Sequence, residues 1–98
     1  MSAPDPGIYG IRCLDSGKIY VGQSVQLARR KSDSLTRLQT GRYHNRHLQN
    51  AWKKHGPEGF DYAVLERCPI ELLDSRERFW ISFCQSSNPA YGYNLDSG

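Results

Sequence analysis

The N-terminal part of the chain contains two short runs of strand-forming residues, at 7–13 and 18–21. Asp15, Ser16 and Gly17 lie between them, and glycine supplies the positive φ that a tight turn needs. Together these features predict a β-hairpin. A third run of strand-forming residues, at 60–65, predicts one more strand later in the chain.

The segment after the hairpin has apolar residues at about helical spacing. Leu27, Leu35 and Leu38 define the inward face of a first predicted helix. Ser24 is expected to cap the start of this helix, since a serine hydroxyl can accept hydrogen bonds from free amides there. Gly41 is placed to end it.

A second helix is predicted from 45 to 55, with Leu48, Ala51 and Trp52 facing inward. It stops at Gly56, which a proline follows. Pro69 is expected to open a third helix, because proline at the first position costs no hydrogen bond. The inward residues of this third helix are Ile70, Leu73, Ile81 and Cys84, with Trp80 alongside.

The order of these elements, strand-strand-helix-helix-strand-helix, predicts an α+β fold. We expect a small three-stranded antiparallel sheet flanked by about three helices, followed by a turn-rich segment from residue 85. The 98 residues suit a single domain, residues 1–98, with 1–6 as an N-terminal tail.

Composition excludes two classes of protein. A hydrophobic fraction of 38% without a long apolar run excludes a membrane span, and the mean hydropathy is −0.68. Residues 1–6 have neither a basic region nor an apolar stretch, so no signal peptide is predicted. Cys13, Cys68 and Cys84 are scattered, which argues against disulfides or a structural zinc site. We therefore expect a cytoplasmic location.

Positive charge is concentrated in the middle of the chain. Residues 29–55 carry eight basic side chains and one acidic one, a net charge of +7, whereas the remainder carries five and nine, a net −4. Such a distribution indicates a surface that faces a polyanion, with nucleic acid the leading candidate. The alternative is a solvated helix face.

Glu77 and Arg30 are the charged residues whose positions suggest chemistry. Glu77 stands four residues after Leu73 and four before Ile81, within the apolar stripe of the third predicted helix. A carboxylate there is expected to bind a metal or to pair with an arginine such as Arg30. Arg30 borders the inward side of the first predicted helix, where its planar guanidinium could bind a phosphate.

Tyr9 and Tyr20 lie on the two strands of the predicted hairpin. Tyrosines in strands usually serve packing, and a tyrosine base needs a nearby cation to lower its pKa. Arg30 and a metal on Glu77 would supply that setting. The three histidines, His44, His47 and His55, lack metal-ligand spacing, so solvated or phosphate-contacting roles are favoured.

Taken together, these residues resemble the signature of the GIY-YIG nuclease family. Gly7-Ile8-Tyr9 is followed after ten residues by Tyr20-Val21-Gly22. The resemblance continues through Arg30, the segment 48–56, the strand from residue 60, Glu77, and Gly92-Tyr93-Asn94. It therefore spans nearly the whole chain. The catalytic domains of phage and intron-encoded homing endonucleases and of related restriction enzymes are the most similar branch.

The resemblance implies a metal-dependent DNA endonuclease that hydrolyses phosphodiester bonds. It implies that Glu77 binds one Mg²⁺ or Mn²⁺ and that Arg30 stabilises the phosphate. Tyr9 and Tyr20 match the tyrosines of the signature, with Tyr9 as the expected general base. Asn94 matches an asparagine that supports the geometry of the site.

The chain departs from the family pattern at three positions. Ser34 stands where many relatives have a histidine four residues after the arginine. Tyr43 stands where another histidine is common, although the neighbouring His44 could replace it. Gln23 stands where some relatives carry lysine. These departures leave open an alternative, a weakened or inactive module on the same fold that binds DNA or a protein partner.

DNA is the expected partner, held through the basic middle of the chain. A separate DNA-recognition domain, a partner protein or self-association could supply sequence preference, because phosphate contacts do not read bases. The expected DNA-contacting residues are Arg29, Lys31, Arg37, Arg42, His44, Arg46, Lys53 and Lys54.

Overall fold

The predicted hairpin forms two of the three strands of the sheet. β1 (Gly7–Cys13) is central and pairs antiparallel with β2 (Ile19–Ser24) on one side. On its other side β1 pairs antiparallel with β3 (Phe60–Arg67), which gives the strand order β2-β1-β3. The structure is a computed structural model and describes residues 3–95. It confirms the three-stranded antiparallel sheet.

In the described part of the chain, three α-helices accompany the sheet, as the sequence predicts. α1 (Leu27–Gln39) and α2 (Arg46–His55) lie between β2 and β3, and α3 (Leu73–Cys84) follows β3. Two single turns of 3₁₀-helix, Pro57–Gly59 and Ile70–Leu72, precede β3 and α3. None of the helices within residues 3–95 is long and apolar enough to cross a membrane.

Each face of the sheet has its own apolar cluster, because side chains alternate between the two faces of a strand. On the α1–α2 side, the buried residues are Tyr9, Ile11, Cys13, Tyr20, Leu27, Leu38, Tyr43, Leu48, Trp52 and Tyr93. On the α3 side they are Ile8, Val21, Leu73 and Ile81. The sheet is therefore the middle layer of three.

The ends of α1 and α2 match the predictions except at one cap. Ser24 ends β2 and does not cap α1. Its hydroxyl accepts a hydrogen bond from the Gln26 amide (3.0 Å), but Gln26 itself occupies the capping position of α1, two residues after Ser24. Gly41 adopts a φ of +76° just after α1, as a helix-ending glycine does. Asn45 caps α2 by accepting a hydrogen bond from the Leu48 amide.

The start of the third helix differs from the prediction. Pro69 precedes the 3₁₀ turn rather than an α-helix, and α3 begins only at Leu73. Ile70 is 50% exposed, so it does not belong to the inward stripe. The physical reason is that a 3₁₀ turn has three residues per turn, which rotates Ile70 away from the face that Leu73 and Ile81 bury.

The segment after α3 returns to the open edge of β2. The Ile19 amide donates to the Tyr91 carbonyl (3.2 Å) and the Tyr93 amide donates to the Ile19 carbonyl (3.0 Å). A Cβ on Gly92 would overlap the backbone of Ser86, so the chain can approach this closely only with glycine. This contact brings the residues after Gly92 beside the middle of β2.

Candidate active site

The two signature tyrosines lie on the same face of the sheet. Tyr9 on β1 pairs with Gly22 on β2, and Tyr20 lies two residues before Gly22, so both side chains point towards α1 and α2. Their ring centroids are 6.3 Å apart. Tyr9 is 1% exposed and Tyr20 is 9% exposed. The hairpin register alone thus brings the two phenols together.

Gly22, the last residue of the signature, makes room for Tyr9. A Cβ at this position would lie 2.5 Å from both Cζ and the hydroxyl oxygen of Tyr9. This is far inside the van der Waals distance, so any larger residue would displace the ring. The glycine is therefore needed for close approach.

Tyr62 on β3 supports the Tyr9 ring from the other side. The two rings stack with centroids 5.3 Å apart and an angle of 18° between their planes. The Tyr62 hydroxyl donates a hydrogen bond to the Leu27 carbonyl (3.0 Å), and burial raises the pKa of this phenol. Tyr62 was not among the predicted site residues. The alternation along β3 could have placed it on the face of Tyr9.

Tyr20 contacts the imidazole of His44. The Tyr20 hydroxyl and His44 Nε2 are 3.0 Å apart, and the His44 ring stacks on Tyr43 with centroids 4.6 Å apart. Burial raises the pKa of Tyr20 above its ordinary value. Partial burial, followed by the positive charges of Arg30 and Arg37, lowers the pKa of His44. At neutral pH the phenol is thus protonated and the imidazole is neutral.

Ser34 and Tyr43, the residues that replace family histidines, are both buried. The Tyr43 hydroxyl lies among Tyr9, Tyr20 and Ser34, and burial raises its pKa. Within residues 3–95, neither the Tyr43 hydroxyl nor the Ser34 hydroxyl makes a hydrogen bond of good geometry. Neither group is a base at neutral pH, so these positions cannot replace the chemistry of an imidazole.

Glu77 approaches the same strand from the opposite layer. It lies on α3, half-buried, and its Oε1 accepts a 3.4 Å hydrogen bond from the Gln23 side-chain amide. The same amide donates to Asp74 (2.8 Å). Because β2 is at the edge of the sheet, the negative charge of Glu77 reaches Tyr20 on the far face and helps to raise the pKa of its hydroxyl. The site therefore wraps around the edge strand.

Asn94 holds the edge strand beside Tyr20. Its carbonyl oxygen accepts from the Val21 amide and its side-chain NH₂ donates to the Val21 carbonyl, both at 2.9 Å. These two bonds satisfy backbone groups that an edge strand otherwise leaves open. Tyr20, His44, Asn45, Asn94 and Leu95 line one surface cavity of about 230 Å³.

Arg30 lies at the surface, contrary to the prediction of an inward border position. Leu27, Ser34 and Leu38 form the buried side of α1, and Arg30 falls outside it. Its positive charge nevertheless favours a lower pKa for both Tyr20 and His44. An exposed guanidinium close to the phenols is accessible to a phosphate.

The predicted DNA-contacting residues are all exposed, and they lie beside different features of the surface. Arg37 lies close enough to His44 to lower its pKa. Lys54 belongs instead to a separate cavity beside the β1–β2 turn, together with His55. Lys31 lies over the Tyr62 ring at 5.9 Å. The other exposed members of this set are Arg29, Arg42, Arg46 and Lys53.

The donor set at Glu77 fits a magnesium ion that keeps much of its water shell. Within residues 3–95 no group of three His, Cys, Asp or Glu side chains could hold a metal. A zinc site is built from such a group, whereas Mg²⁺ commonly takes one or two carboxylates and completes its shell with water and phosphate oxygens. Glu77 and the nearby Asp74 are carboxylates of that kind.

The fold and the site define a GIY-YIG catalytic domain. The model of the GIY-YIG catalytic domain matches residues 5–91, and the chain belongs to this family. Among curated proteins, Intron-associated endonuclease 1 of Enterobacteria phage T4 is 33% identical over 91 residues, which cover 91% of this chain. Because the match covers 36% of that relative, the chain spans about a third of its length.

Two solved structures share the whole fold. One is the catalytic domain of intron endonuclease I-TevI with one glutamate replaced by alanine; it has a TM-score of 0.86 and 30% identity, and 96% of each chain is covered. The other is the catalytic domain of homing endonuclease I-TevI, with a TM-score of 0.84 and 31% identity, over 93% of this chain and 98% of that one. The similarity confirms the predicted family and fold class.

Proposed function

We propose that the chain is a metal-dependent DNA endonuclease that hydrolyses phosphodiester bonds by tyrosine-assisted attack of water. Family membership supports a phosphodiester hydrolase. The observation that carries the proposal is the setting of Tyr20, whose hydroxyl lies 3.0 Å from His44 Nε2 beside a surface cavity, with the charges of Glu77 and Arg30 close enough to act on its pKa. A phenol near both a carboxylate, which can hold a metal, and a guanidinium is suited to a reaction in which charge develops on a phosphate.

Glu77 is proposed to hold the Mg²⁺ or Mn²⁺, with the Gln23 amide orienting its carboxylate. When bound, the metal would neutralise charge on the scissile phosphate. Arg30 adds a fixed positive charge where negative charge grows in the transition state. Asn94 keeps β2 in place, so that Tyr20 stays at a constant distance from both charges.

The DNA is proposed to lie along the exposed basic surface of α1 and α2. Arg30 and Arg37, together with His44, would contact the backbone near the scissile bond. The residues proposed for flanking phosphates are Arg29, Lys31, Arg42, Arg46, Lys53 and Lys54. We further propose residues 1–98 as one catalytic domain, with sequence preference supplied by another domain, a partner or self-association. Residues 1–2 and 96–98 of that span lie outside the described residues.

Cleavage of supercoiled plasmid with and without Mg²⁺ tests the proposal. We expect nicked or linear product that disappears with a chelator and in Glu77→Ala. Glu58→Ala is the matched control, since Glu58 is exposed on the 3₁₀ turn before β3. Full cleavage by Glu77→Ala would contradict the metal role.

A second outcome separates the nuclease from a module without catalysis. The departures at Ser34 and Tyr43, both buried hydroxyls, favour that alternative. If the intact chain retards DNA in a gel but leaves plasmid uncut with Mg²⁺ and with Mn²⁺, the catalytic proposal is wrong and the binding module is correct.

A further inference from the structure

We propose that His44 accepts the proton of the Tyr20 hydroxyl, and that Tyr20, not Tyr9, is therefore the tyrosine that deprotonates the attacking water in this chain. The inference rests on the proposed phosphodiester hydrolysis. His44 acts through Tyr20, so it is a positioning residue in the same site.

The geometry around Tyr20 carries the proposal. Its hydroxyl lies 3.0 Å from His44 Nε2, a distance suited to an O–H···N hydrogen bond. Stacking on Tyr43 at 4.6 Å fixes the plane of the imidazole. Both Tyr20 and His44 line the cavity of about 230 Å³ at the edge of β2, so solvent and substrate can reach the pair.

Among the described residues, 3–95, none that surrounds Tyr9 is a comparable base. Its ring lies between Gly22 and Tyr62, and the Tyr43 hydroxyl lies beside it. Ser34, where many relatives carry histidine, offers only a hydroxyl. Within residues 3–95 the imidazole that reaches a signature tyrosine is bonded to Tyr20. Tyr9 is then suited to pack beneath the reacting groups and to orient Tyr20.

The surroundings of His44 keep its imidazole neutral at neutral pH, so that Nε2 has a lone pair free to accept a hydrogen bond. The titratable and charged groups around it are Tyr20 on β2, Tyr43 next to it in the chain, and Arg30 and Arg37 on α1. Partial burial, followed by the positive charges of the two guanidinium groups, disfavours the imidazolium and lowers the pKa of His44 from 6.5. Nε2 is consequently free to accept a hydrogen bond from the phenol at neutral pH.

In the proposed step one proton passes from water to Tyr20, from Tyr20 to His44, and from His44 to solvent. The Tyr20 O–H proton moves to His44 Nε2, while the phenolate oxygen takes a proton from the water whose oxygen bonds to phosphorus. The bond between phosphorus and the leaving sugar oxygen breaks, and that oxygen takes a proton from solvent. His44 then releases its proton to solvent, which restores the neutral imidazole.

The pH dependence of the plasmid cleavage rate, measured from pH 5 to 9, tests this assignment. Because neutral His44 is required, we expect a plateau at neutral pH and a fall of about tenfold per pH unit below the pKa of His44. In His44→Gln, which keeps a hydrogen-bonding group but no basic nitrogen, we expect a loss of about 10²–10⁴-fold and no fall of this kind. An unchanged rate and profile in His44→Gln would overturn the proposal.

Rescue separates proton transfer from a merely structural role. Added imidazole is expected to raise the rate of His44→Ala at least tenfold and to leave Tyr20→Phe unchanged. Tyr9→Phe is expected to keep the acidic fall in rate. His47→Gln is the matched control: His47 is exposed, lines a different cavity, and should leave the shape of the pH profile as in the unmodified chain. Loss of the acidic fall in Tyr9→Phe but not in Tyr20→Phe would assign the base to Tyr9.

A measurement without DNA keeps the inference independent of the proposed function. If the intact chain does not cleave plasmid, the proposed function fails. The Tyr20–His44 pair is then tested by NMR titration of His44 in the unmodified chain and in Tyr20→Phe. We expect the His44 pKa and the Nε2 chemical shift to change in Tyr20→Phe, while His47 titrates as before. Identical His44 titrations would overturn the pairing.

Discussion

Replacing Gly22 with alanine tests whether the signature glycine serves close packing against Tyr9. The new Cβ would lie 2.5 Å from Cζ and from the hydroxyl oxygen of Tyr9, and 2.8 Å from Cε1. Tyr9 is stacked on Tyr62, so its ring cannot retreat without breaking that contact. Overpacking of this kind costs about 1–3 kcal/mol, and the lower entropy of the unfolded alanine chain offsets about 0.4–1 kcal/mol.

We therefore expect Gly22→Ala to lower the free energy of unfolding by about 1–2 kcal/mol. For a domain of this size each kcal/mol shifts Tm by about 4–8 °C. Urea and thermal unfolding followed by circular dichroism measure the loss, and plasmid cleavage should fall with it because Tyr9 is displaced.

A double-mutant cycle with Tyr9→Leu isolates the clash. Leucine leaves the space next to residue 22 open. In the Tyr9→Leu background, Gly22→Ala should therefore lower the free energy of unfolding only slightly or should raise it. Gly59→Ala is the control, since its nearest contact would be the Cβ of His55 at 3.2 Å. Equal costs of Gly22→Ala in both backgrounds would refute the reasoning.

Two further predictions concern stability. Leu48→Ala empties a fully buried position and is expected to lower the free energy of unfolding in urea by about 2–5 kcal/mol. Leu14→Ala is the control, because Leu14 is 57% exposed and its loss should lower this free energy much less. Similar losses in the two variants would contradict the assigned core. Hydrogen bonds from Trp80 and then from Arg76 lower the pKa of Glu66. Its carboxylate therefore stabilises the fold at pH values above 4.5, the pKa of this group in the unfolded chain. That stability should be lost as the pH falls from 4.5 through the lower folded pKa, and the loss should be smaller in Glu66→Gln; parallel pH profiles would contradict this role.

Local sequence signals accounted for most of the secondary structure. The hairpin, the extent of α2 and the turn at Gly41 follow from backbone preferences that act within a few residues. The errors arose where two local solutions compete. At Ser24 the strand continues instead of yielding to a helix cap, and at Ile70 a 3₁₀ turn replaces the first turn of an α-helix.

The site was only partly predictable from the sequence. The order and spacing of Tyr9, Tyr20, Arg30, Glu77 and Asn94 indicated the family, which the comparisons confirm. Their roles stay proposals. The exposure of Arg30 depends on which side of α1 is buried, and the apolar pattern assigned it only to a border.

The order of strands and helices and the family of the chain follow from the residues alone. Which side chains meet depends on how the strands and helices pack, because the partners are distant along the chain. Tyr20 and His44 are 24 residues apart, Gln23 and Glu77 are 54 apart, and Val21 and Asn94 are 73 apart. Each pair joins through the edge strand β2, where both faces of the sheet and the returning chain converge. A register of strands and helices sets such contacts, and no short-range pattern encodes them.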